Sequence, residues 1–189
     1  MQKLFSFILL ASVLVISSSR IVMTKKEWVT KLKTLANRKT IYSNEWPKNV
    51  LYFDGTYWYA DCSNLMKALF NGRDIDNQSA GSYQRDLSNT GDVTESGLIN
   101  LCTSVSSDFS KLKAGEPRIL YMPGHIGAYL GETVKRPKGV CNSVESTPAW
   151  DGGIQFSYVS SNGGRYSAQG SSLSSQWTKH GLPSKWVQY

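Results

Sequence analysis

Tyr59-Ala60-Asp61-Cys62-Ser63-Asn64-Leu65-Met66-Lys67-Ala68-Leu69-Phe70 decides how this chain is read. Leu65, Met66, Leu69 and Phe70 recur at offsets that share one helix face, and Gly72 supplies a stop. Asp61 suits the N-cap, because a carboxylate there accepts from the amides of the first turn. Cys62 then opens the helix, where free N–H groups and the helix dipole favour an anion. A thiol so placed is expected to ionise more readily than a free one and to act as a nucleophile. The competing explanation is packing, since free cysteine is among the most buried residue types. A base elsewhere in the chain has to decide between them.

A thiol nucleophile needs a group that takes its proton and later returns it to a leaving amine. Only two histidines are present. His125 falls on an alternating segment, Gly124-His125-Ile126-Gly127-Ala128-Tyr129-Leu130, whose small residues admit a close neighbour. His180, between Lys179 and Gly181, suits a charged residue at a chain turn or helix end. His125 is therefore the expected base. Its far nitrogen needs an acceptor, and Glu145 within Val144-Glu145-Ser146-Thr147 is the first candidate, with Asn142 on the same strand as the fallback.

Outward from these residues the chain divides into a helical and a stranded part. Residues Met1 to about Ser19 read as a secretory signal: Lys3, a nearly all-apolar run from Leu4 to Ile16, then three serines. That run is too short to span a bilayer, which takes about 20 residues. Thr24 and Glu27 form a capping box for an amphipathic helix over about 24–38, with Trp28, Val29, Leu32, Leu35 and Ala36 as its apolar stripe. Residues 41–58 and 73–91 read as loops, and Asp92 to Glu95 as another helix start. After a turn at Ala114-Gly115-Glu116-Pro117 the period becomes that of strands, with four expected from Arg118 to Tyr158. The tail carries Trp177 and Trp186 around a turn at Gly181-Leu182-Pro183. The expected class is α+β, a nucleophile-bearing helix packed on an antiparallel meander, in a single domain over 20–189.

The chain has 189 residues, 40% hydrophobic and 19% charged, which suits a globular domain with a real core. Its three cysteines are too few for a disulfide scaffold, and no Cys/His spacing implies zinc. With Cys62 free, Cys102 and Cys141 remain as a pair or as two thiols. The formal charge is +7; removing residues 1–20 takes Lys3 and Arg20 and no acid, leaving +5. That charge suits an anionic polymer, but the basic residues are scattered and form no nucleic-acid signature.

Asp61-Cys62-Ser63, the turn Ala114-Gly115-Glu116, and Gly124-His125-Ile126-Gly127-Ala128-Tyr129-Leu130-Gly131 together resemble the NlpC-type cysteine peptidases of the NlpC/p-sixty superfamily. The resemblance covers about Tyr52 to Thr147. It implies a papain-like fold, Cys62 as nucleophile, His125 as base and Glu145 as third residue. Tyr52 matches the tyrosine lining the substrate groove, Asp61 the acid that holds the substrate's free amine, and Ser63 joins them as substrate-binding. Asn64 stands where the family has glycine, and Glu132 to Gly139 is a longer loop than usual. The implied activity is hydrolysis of peptidoglycan stem peptides between D-glutamate and the diamino acid. The alternatives are an N-acetylmuramoyl-L-alanine amidase and an inactive cell-wall-binding protein. Such an enzyme needs no cofactor or metal. It is expected to be a monomer, secreted or delivered to an exported, lysosome-like compartment, with no nucleic-acid partner and no stable membrane association after signal cleavage.

Overall fold

The computed structural model describes residues 20–137 and 139–189. The expected signal segment lies outside them. β1 (Met23–Thr24) leads into α1 (Lys25–Ala36). Thr24 Oγ1 accepts from the Glu27 amide at 3.2 Å, and Glu27 Oε2 accepts from the Thr24 amide at 2.7 Å. This reciprocal cap is the expected one. Thr24→Ala should cost about 1 kcal/mol, read as a lower thermal midpoint.

Segment 41–58 departs from the expected loop. β2 (Thr40–Tyr42), β3 (Tyr52–Phe53) and β4 (Trp58–Ala60) form a small sheet in the order β2-β4-β3. Strands of two or three residues are too short to display a period, so their sequence reads as loop. β4 runs directly into α2 (Cys62–Phe70), capped by Asp61. α3 (Glu95–Asn100) follows, capped by Thr94.

The main sheet has eight antiparallel strands. They are β5 (Thr103–Ser106), β6 (Arg118–Met122), β7 (His125–Arg136), β8 (Gly139–Thr147), β9 (Gly153–Val159), β10 (Arg165–Ser167), β11 (Ser172–Leu173) and β12 (Lys179–Leu182). Their spatial order is β11-β10-β9-β8-β7-β6-β12-β5. β13 (Val187–Gln188) returns to pair in parallel with β1. Strands β6 to β9 are the four expected. Two segments differ from expectation: the tail turns back into the sheet as β12, and the expected loop contains paired strand, Val134 to Arg136 facing Gly139 to Cys141. The fold is thus mixed α/β, with few helices and a large antiparallel sheet.

Strand alternation divides the apolar residues between two faces. Ile126, Ala128, Leu130, Val144, Ile154 and Phe156 pack with Trp28, Leu32, Leu65, Leu69 and Phe70 from the helices. Leu120, Tyr129 and Val159 pack on the opposite face with Phe109 and Trp177. Burying a leucine or phenylalanine contributes roughly 1.5–3 kcal/mol, so the helix-bearing face dominates stability. The three cysteines are free: Cys141 lies in the core, while Cys102 Sγ donates to the Leu98 carbonyl at 3.4 Å. They form no pair.

Candidate active site

Asp61 does more than cap α2. Its Oδ1 accepts from the Asn64 amide at 2.7 Å and from Ser63 Oγ at 3.0 Å, while Oδ2 accepts from Asn64 Nδ2 at 2.7 Å. Asparagine at position 64 therefore clamps the carboxylate from a second side, which a glycine could not do. Ser63 is held in the same network. Cys62 follows at 7% exposure, its sulfur meeting the backbone N–H groups of Ile126 and Ser63.

The Cys62 thiol is not easily ionised, contrary to the expectation from its helix position. Burial pushes the Cys62 thiol up to about 11. The carboxylates of Asp61 and Glu95 push the same way, and the Ile126 and Ser63 amides offset only part. A helix terminus contributes typically 0.3–1 kcal/mol, less than the desolvation of a thiolate enclosed by the core. Iodoacetamide alkylation of Cys62, followed by peptide mass mapping, should therefore stay slow at neutral pH and climb towards pH 11.

His125 is delivered by the tight turn between β6 and β7, where Gly124 takes a φ of 78° that favours glycine. Its Nε2 lies 2.7 Å from Glu145 Oε2 on β8. Glu145 is fully buried. Arg165, on β10, donates from Nε to the same oxygen at 2.8 Å and from Nη2 as well. Nη2 also donates to Thr147 Oγ1 at 3.0 Å, and Nη1 to Ser175 Oγ at 3.2 Å. Burial alone would raise the Glu145 carboxyl, but the bonds from His125 and Arg165 outweigh it and hold the group below its ordinary value. Aromatic rings seal the cluster. Trp177 stacks on the His125 ring at 5.3 Å, and the Arg165 guanidinium lies 5.3 Å from Trp150 and 5.4 Å from Trp177. Gly127 is required for this closeness, since a Cβ there would stand 2.9 Å from Trp177 and 3.2 Å from Glu145 Cβ.

His125 shares its strand face with Gly127 and Tyr129, whereas Cys62 packs with Ile126 among the helix-side core. The two nevertheless meet at one peptide unit, because the sulfur touches the amide of the residue following His125. Among the described residues no hydrogen bond joins Cys62 Sγ to His125, and His125 Nδ1 has no hydrogen-bond partner.

The remaining expected residues divide clearly. Tyr52 lies opposite Tyr59 in the small sheet, ring centroids 5.8 Å apart, with no hydrogen bond to the Cys62–Glu145 cluster among the described residues. Asn142 bridges to β9 through the Val159 backbone and is not an acceptor for His125. His180 is buried in β12 rather than set at a turn or helix end. Its Nε2 donates to the Asp108 carbonyl at 3.0 Å, and its Nδ1 accepts from Arg118 at 3.1 Å. Burial lowers its proton affinity, so it serves as a neutral structural link.

Four residues have site contacts that no sequence pattern assigns to them. Arg165 and Trp177 contact the His125–Glu145 pair, Trp150 lies against Arg165, and Tyr42 stands near Cys62 and Asp61. Burial chiefly, with the charge of those two groups, raises the Tyr42 phenol. A glutamate within an apolar strand does signal a buried cation. It does not say which of 21 lysines and arginines supplies it. Among the described residues no group of three or more His, Cys, Asp and Glu side chains could hold a metal ion. No protein-family model, curated protein or solved structure matches the chain.

Proposed function

We propose that this chain is a cysteine endopeptidase of peptidoglycan stem peptides, of papain-like layout, with Cys62 as nucleophile, His125 as general base and Glu145 as its orienting acceptor. The observation that carries the reading is the 2.7 Å His125–Glu145 bond beside a helix-opening cysteine that touches the Ile126 amide. The resemblance of the Asp61-Cys62-Ser63 and Gly124-His125 segments to NlpC-type peptidases supports the substrate class. In this mechanism the Cys62 proton passes to His125 Nδ1 as sulfur attacks the scissile carbonyl. Backbone N–H groups at the helix start hold the oxyanion. His125 then protonates the departing amine as the C–N bond breaks, and water hydrolyses the thioester with His125 again as base.

The peptide is taken to approach past Tyr42. A cleft of about 220 Å³, lined by Tyr42, Ser43, Lys48 and Tyr59, flanks the strand that leads into Asp61. Muropeptides of known structure, incubated with the protein and read by mass, test this. Products split between D-glutamate and the diamino acid are expected; release of intact stem peptides would instead assign amidase activity. One observation favours a second reading, a wall-binding protein without turnover: the thiol is buried and lacks an imidazole bond. Co-sedimentation with cell walls and no product at high protein loading would establish it and overturn the hydrolase.

A further inference from the structure

Glu145 has an uneven set of partners. Oε2 receives His125 Nε2 and two nitrogens of Arg165, while Oε1 is buried with no hydrogen-bond partner. All stabilisation of the ionised form thus enters through one oxygen. The ionisable groups facing it are His125 on β7 and Arg165 on β10. Its neighbour in register on β9 is Gln155, which does not ionise. Arg165 Nη2 also lies 3.1 Å from His125 Nε2. A guanidinium carries no acceptor, so this contact has two readings. Either Nε2 is bare and accepts from Arg165, or Nε2–H and Arg165 are two donors sharing Oε2. A 2.7 Å contact between Nε2 and an ionised carboxylate requires a proton on Nε2, which selects the second.

We infer that Arg165 is a positioning residue that keeps Glu145 a carboxylate, so that His125 carries its proton on Nε2 and leaves Nδ1 as the basic nitrogen. The catalytic consequence rests on the hydrolase reading above; the tautomer does not. Without the guanidinium, a fully buried carboxyl with one bare oxygen would take up a proton. Its O–H would then donate to Nε2, the imidazole proton would move to Nδ1, and the nitrogen meant to receive the thiol proton would be occupied. Arginine fits the task because its planar fork is always charged and lies over both the Trp150 and Trp177 rings.

Nitrogen-15 NMR of untagged protein reads the tautomer directly, since only His180 shares the spectral region. Wild type at pH 7 should show Nε2–H at His125. Arg165→Met should show Nδ1–H, and the acid limb of its cleavage profile should move up by at least about one pH unit, with activity returning in alkali as Glu145 ionises. Arg165→Lys preserves the charge and should retain the wild-type tautomer. Nδ1–H in the wild type, or a folded Arg165→Met with wild-type tautomer and profile, would overturn the inference. A tautomer switch in folded Arg165→Lys would do the same. Wild-type protein with Nε2–H but no turnover would sink the hydrolase reading and leave the role of Arg165 standing.

Discussion

Cys62→Ala is expected to abolish muropeptide cleavage, lowering the single-turnover rate by about 10⁴-fold or more, as removal of a covalent nucleophile does. The change removes one sulfur from a site 7% exposed, so stability should move by only about 1 kcal/mol. Retained cleavage would remove Cys62 from the mechanism. With burial pushing the thiol up to about 11, the thiolate is a minor species at pH 7. On the hydrolase reading proposed above, a spontaneous thiolate is too scarce to carry turnover, and attack would be coupled to proton removal by His125. Cys62→Ser should be equally inactive, because a hydroxyl is harder to deprotonate than a thiol. His125→Ala in wild-type thiol context should leave only the slow, alkali-driven attack of the rare thiolate.

The helix bearing Cys62 was legible because its apolar spacing, its aspartate cap and its stop agree with one another. Thr24 and Glu27 announced α1 in the same way. Strands β6 to β9 were legible through alternation, with Ile126, Ala128 and Leu130 on one face and Gly127 and Tyr129 on the other. Where strands shrink to two or three residues, as at Tyr52–Phe53 and Ser172–Leu173, periodicity has no room to appear. β12 hid for a different reason. Its buried His180 is polar and is satisfied by Arg118 and the Asp108 carbonyl, partners more than sixty residues away in the chain. The same non-locality concealed the cage around His125. Glu145 and Arg165 are joined across β9, and Trp177 arrives from the tail, so no local pattern links them. The ionisation of Cys62 is not legible in the same way, because helix position is readable from sequence and depth of burial is not.

Glu145→Ala is expected to be the most disruptive single substitution in the cluster. It strips the partner from Arg165, whose side chain is 5% exposed, and an uncompensated buried charge typically costs 3–5 kcal/mol. His125 loses its acceptor in the same step, so any folded fraction should be nearly inactive. The pair predicts the form of a double-mutant cycle. Glu145→Ala combined with Arg165→Met removes both charges and should recover most of the stability lost by Glu145→Ala alone, yet no activity, because the imidazole remains unoriented. Additive stability losses in the double variant would show that the two side chains do not stabilise one another. The pH dependence carries the same signature. Glu145 is held below its unfolded value of about 4.3, so its stabilising contribution is complete above that pH and is lost as pH falls through the folded value. The double variant lacks this group, and its urea midpoint should fall less steeply than that of the wild type when the pH is lowered from 6 towards 3. An equal fall in both proteins would mean that Glu145 and Arg165 are not an ion pair in solution.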